Sequence, residues 1–213
     1  MRDIPRADHP IEFVGGALAL DFSNTVGGTH RAPTHEHLQT YEDLVRFTAD
    51  AGHISAAEAR RLATESERHP RLAADVLGRA IVLREAIFRV FSALASDTEP
   101  AKADLDAVTE EVTGALVRAR LTPQGRCCEW TWTDELSLER PLWPIARSAV
   151  DLLTSSEEVT WVRECASDTC EWLFIDRSRN HTRRWCDMND CGNRAKVRRL
   201  RERKASARTK AIR

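Results

Sequence analysis

Between Cys165 and Lys196 the sequence reads CASDTCEWLFIDRSRNHTRRWCDMNDCGNRAK, and its four cysteines fall as C-x4-C, a gap of fifteen residues, then C-x4-C. The amino terminus, Met1 to Pro5, has no apolar leader core and no run approaches a membrane span, so the chain is expected to be soluble and cytoplasmic. In such a compartment, thiols paired at short spacing favour metal over disulfides. Four thiolates set soft donors tetrahedrally about Zn2+, and with every position filled by protein the site is structural rather than catalytic. Cys165, Cys170, Cys186 and Cys191 are therefore the expected ligands of one structural zinc, with His181 an exposed loop residue between the pairs.

Outward from the last ligand, Gly192 to Arg201 has the composition of a helix. At 100° per residue Asn193, Val197 and Leu200 share a face that should dock, with Arg194, Arg198 and Arg201 on one flank and Lys196, Arg199 and Arg203 on the other. Residues 163–213 hold 15 Lys+Arg against 7 Asp+Glu, a net +8, while the first 162 residues carry 17 against 26, a net −9. Four thiolates and a zinc ion lower the tail to about +6, which still attracts polyanions. Of the 32 basic residues 28 are arginine, whose planar fork can donate two parallel hydrogen bonds to a phosphate. The expected nucleic-acid contacts are Arg177, Arg179, Asn180, Arg183, Arg184, Arg194, Lys196, Arg198, Arg199 and Arg201. Among these Arg179, Asn180, Arg183, Arg194 and Arg198 are candidates for base edges, and Arg194 with Asn193 could equally brace the finger by bonding to its backbone.

Upstream, the 213-residue chain reads as mainly helical with a few short strands, an α+β protein in which a helical domain (residues 1–158) precedes a small finger (159–205) and a basic tail (206–213). Ile11 to Val14 suggests a strand, Gly15-Gly16 a turn, and Ala17 to Phe22 either strand or helix. Helices are expected over residues 40–51, 55–69, 72–94, 101–118 and 143–153, the second opened by a Ser55/Glu58 capping box. Cys128, Trp130 and Trp132 alternate with polar residues as in a strand, where Cys127 and Cys128 would be packing residues. Asp21, Asn24 and Thr25 could line a ligand pocket or bond to the backbone of a turn. His30, His35 and His37 have no cysteine or carboxylate pair nearby beyond Glu36, so they read as loop residues rather than a second metal site.

The motifs C-x4-C, WLFIDRSRN, RRWC-x-M and CGNRAK resemble the CGNR zinc finger, named for the residues standing here as Cys191 to Arg194. FVGGALALDFSNT (Phe13 to Thr25) is similar to the opening of the ABATE domain, described as a stress-induced transcription regulator, with Ser23 where an apolar residue is expected. Resemblance implies a bacterial regulator with a zinc-dependent DNA-binding end. The knuckle, hairpin and terminal helix also resemble a treble-clef finger.

No phosphate-binding glycine loop, nucleophile elbow or H-E-x-x-H motif occurs, so nothing in the sequence points to an enzyme. The expected partners are duplex DNA and an unidentified small-molecule or protein effector of the amino-terminal domain. The alternatives are RNA, stacked on Trp172, Phe174 and Trp185, or a protein partner.

Overall fold

The computed structural model describes residues 4–211 and places them in an α+β architecture of helices and short antiparallel strand pairs. The ambiguous segment after Gly15-Gly16 forms helix α1 (Leu18–Ser23), buried along its whole length. A small hairpin follows, β1 (Val26–Gly28) with β2 (Pro33–Glu36). Then come α2 (Tyr41–Asp50), α3 (Ala56–Arg68), α4 (Pro70–Ala95) and α5 (Lys102–Leu116). The capping box at Ser55 and Glu58 is present, and Thr40 with Asp43 forms a second at the start of α2. Pro70 begins α4 instead of merely preceding it, because the first helical turn needs no N–H at that position.

Helix α4 is the axis of the body. Val76, Ala80, Leu83, Ile87 and Phe91 pack along it against Leu20, Leu44, Phe47, Leu62, Val108 and Val112. Its one buried charge, Arg84, pairs with Glu36 at 2.8 Å and Glu85 at 3.0 Å and donates to Thr25. After α5 a hairpin of β3 (Ala119–Gln124) and β4 (Cys127–Trp132) leads to α6 (Leu142–Thr154). Here the expectation for Cys127 and Cys128 fails. Both are exposed, since this part of the hairpin does not pack on the body. Trp132 instead meets Trp143 of α6, with ring centroids 5.7 Å apart.

Strands β5 (Val162–Glu164) and β6 (Leu173–Ile175) flank the first cysteine pair and form the finger's hairpin. Val162, Leu173 and Ile175 belong to the same apolar core as α1, α4 and α6. The finger's separate cluster consists of the four cysteines and Phe174, with Val14, Trp172 and Trp185 against it. A turn of π-helix (Met188–Gly192) then leads into α7 (Asn193–Ala211).

Two local expectations are corrected. Residues 11–14 form no strand; it is the following Gly15 that meets β6, accepting from Ile175 N–H at 2.8 Å. Helix α7 docks through Ala195, whereas Asn193, Val197 and Leu200 are exposed, because the Cys191 anchor turns a different face inward. It also continues past residue 201, so most of the proposed tail is helical, and Ile212 and Arg213 lie outside the described residues.

Candidate metal centre and nucleic-acid interface

All four cysteines of the 165–196 stretch are buried, and their sulfur atoms lie within 4.8 Å of one another. The Cys170–Cys186 and Cys186–Cys191 sulfur separations are both 3.7 Å. Four thiolates about 2.3 Å from one ion at tetrahedral angles would stand about 3.8 Å apart, so the donor set fits one zinc. His181 takes no part. Its Nδ1 lies 2.7 Å from Asp176 O, and its ring stacks on Trp161 at 3.4 Å.

Local bonds hold the ligands in place. The first knuckle is closed by Cys165 N–H to Trp172 O at 2.9 Å and Cys170 N–H to Ser167 O at 3.1 Å. The second arm is held by Asp176, which is fully buried and accepts from Ser178 N–H at 2.9 Å and Arg183 N–H at 2.8 Å. Burial works against ionising this carboxyl, but the Ser178 and Arg183 donors outweigh it and keep it below the ordinary aspartate range. Cys191 precedes the first turn of α7, where the helix dipole favours a thiolate, and Arg194 Nη2 donates to its sulfur at 3.0 Å.

The ten expected nucleic-acid residues separate into two groups. Arg183 donates to Trp185 O and Cys186 O and lies 4.3 Å over the Phe174 ring, so its fork is occupied within the finger. Arg194 is shared between Cys191 and Asp190, while Arg177 pairs with Glu158 and Arg198 with Asp168. By contrast Arg179, Asn180, Arg184, Lys196, Arg199 and Arg201 are exposed, and the five cations among them form no ion pair with a described residue. Arg184 and Arg199 both lie over Trp185, at 5.4 and 6.0 Å. Of the aromatics considered for base stacking, Phe174 is fully buried and Trp172 is tied to Val26 O at 2.9 Å.

Asp21, Asn24 and Thr25 lie at or behind the seam between body and finger. The Asn24 amide makes two buried bonds to one finger residue, Nδ2 to Leu173 O and Leu173 N–H to Oδ1, both 2.9 Å. Thr25 Oγ1 donates to Phe22 O at 2.8 Å. Asp21 accepts from Gly15 N–H at 2.7 Å and so fixes the loop that meets β6. Gly15 has no room for a side chain here, since a Cβ would sit 2.9 Å from Asp21 N and from Leu20 Cβ. This seam was not legible beforehand, because nothing in the local pattern pairs Asn24 with a strand 149 residues away.

Burial pushes the Asp21 carboxyl up to about 6, with the Gly15 and Val14 N–H groups opposing it. The folded state therefore binds this proton more tightly than the unfolded chain, and stability falls as pH rises from about 4 to about 6, then levels. The full difference is about 3 kcal/mol at roughly 1.4 kcal/mol per unit. Asp21→Asn should flatten that part of a urea-unfolding profile. The buried His37, held down to about 4 chiefly by burial, runs the opposite way over the same window. The variant-minus-wild-type difference thus isolates Asp21, and parallel profiles would contradict the assignment.

Residues 16–156 match the family model ABATE, described as "Putative stress-induced transcription regulator", and residues 162–204 match the CGNR zinc finger model. No curated protein matches the chain.

Proposed function

This chain belongs to the ABATE family and carries a CGNR zinc finger, and from that premise we propose that it regulates transcription by gripping duplex DNA with the finger and α7. The observation that carries this reading is the set of exposed cations with no acidic partner among the described residues, Arg179, Arg184, Lys196, Arg199 and Arg201, beside a helix whose start is fixed by a zinc ligand. Phosphates are met by such groups without regard to sequence. Base discrimination falls to the exposed Arg179 and Asn180, on the turn before the second cysteine pair. The helical body is the part that takes an effector, and the seam at Asn24 and Leu173 gives it a direct hold on the finger.

The test is fluorescence anisotropy of the full chain on duplex DNA across a salt series. Five to seven phosphate contacts give a slope of log affinity on log salt of about −4.5 to −6, roughly a thousandfold loss between 50 and 200 mM. A slope near zero would remove the DNA reading. Single-stranded RNA competing better than duplex would replace it with RNA. A protein partner is the second reading, favoured by Val197 and Leu200, which leave apolar surface exposed on α7. It would show as binding insensitive to salt.

A further inference from the structure

We infer that His9, His35 and His37 form a second metal site, separate from the four-cysteine centre, for a divalent transition ion that prefers imidazole, such as Zn2+, Ni2+ or Cu2+. The backbone assembles it. The amino-terminal segment runs beside β2, with Glu36 N–H to Pro5 O and Ala7 N–H to Glu36 O both at 3.0 Å, which carries His9 to the hairpin. His35 and His37, two residues apart in extended chain, project on the same side. Their ligand nitrogens and that of His9 all lie within 4.8 Å of one another.

The details are those of a ligand set. His9 Nε2 and His35 Nε2 are 3.2 Å apart, where two nitrogens bound to one ion at about 2.05 Å and a tetrahedral angle would be about 3.3 Å apart. His9 Nδ1 faces the Pro10 carbonyl at 3.1 Å, which can only accept, so the proton sits on Nδ1 and Nε2 carries a lone pair. His35 Nδ1 is likewise engaged, by the Thr34 hydroxyl at 3.1 Å. Outward bonds of this kind are what fix metal-binding imidazoles. His37 is only 5% exposed, and its ring contacts are with the edges of His9 and His35; neither ring nitrogen has a hydrogen-bond partner among the described residues. The three rings stand at 77–83° to one another. Burial, and after it His9, holds His35 and His37 below the usual histidine range.

Gly27 is part of the device. It pairs with His35 across the hairpin, and a Cβ there would lie 1.9 Å from the imidazole, so only glycine lets this ring lie over the strand. The site opens on a cleft of about 390 Å³, bounded by His9, Glu12 and His35 on one side and by Cys170, Cys186 and Arg194 on the other. Three nitrogens leave a fourth position open to water, and an ion there would face the cleft shared with the finger.

The experiment is metal stoichiometry on the reduced 213-residue chain, with Zn2+ and then Co2+ as probes after dialysis against metal-free buffer. Wild type should hold two equivalents. With Co2+, the first should show thiolate charge-transfer absorption and the second only d–d bands. His35→Ala and Gly27→Ala should each keep the first equivalent and weaken the second at least about tenfold. One equivalent in wild type, or a second that persists unchanged in His35→Ala, would overturn the proposal. Because neither readout involves DNA, failure here is separable from failure of the DNA reading.

Discussion

Cys186→Ser should cost the protein one equivalent of zinc and reduce its DNA binding to that of loose basic charge, a dissociation constant of about 10⁻⁴ to 10⁻⁶ M at physiological salt. The effect is large because the metal is most of what folds this segment. Apart from the cysteines, its own cluster has only Phe174 at the centre, with Val14, Trp172 and Trp185 around it. Structural zinc in small fingers supplies about 10–16 kcal/mol of apparent binding energy, and little else here could hold residues 176–192 in one shape. Most of the helical circular dichroism should survive, since α1 to α6 pack on α4 without the metal. Zinc analysis and anisotropy on the same samples test this. Unchanged affinity and salt slope in a zinc-free variant would show that finger shape is irrelevant to binding.

The second large effect is expected away from the metal. Asn24→Ala leaves the N–H and C=O of Leu173 without partners inside a buried seam. At about 1–3 kcal/mol for each unmet group, the variant should lose about 2–6 kcal/mol of unfolding free energy. Zinc content should be unchanged, because Asn24 touches no ligand. That combination distinguishes a docking residue from a finger residue. A loss below about 1 kcal/mol would mean that water replaces the amide at the seam. A loss accompanied by zinc release would mean that the finger cannot fold unless docked.

Helices α2 to α6 and the four-cysteine centre were legible in the sequence because each has a local signature: capping residues, 3.6-residue apolar spacing, or paired thiols, whereas α1 read equally as strand. The charge split likewise marked the carboxy-terminal end as basic, though it could not say that Arg183 and Arg194 are engaged inside the finger while Arg179 and Lys196 form no ion pair with a described residue. What escaped depends on distant partners. Strand β3, with Arg120 and Pro123, has no strand signature of its own and was not expected; it forms by pairing with β4. His9 joins His35 and His37 only once the amino-terminal segment runs beside β2, so the histidines alone did not suggest a cluster. The spacing of His35 and His37 was the available signal, and Gly27 its silent complement.

Leu173 and Ile175 lie on a strand next to the metal knuckle yet complete the interior built around α4. The motif boundary near residue 160 is therefore not a boundary of cooperativity. Heating should melt β5 and β6 together with the helical body in a single transition. Transplanting the finger into another scaffold would carry across a bare apolar strand that its new host must shelter.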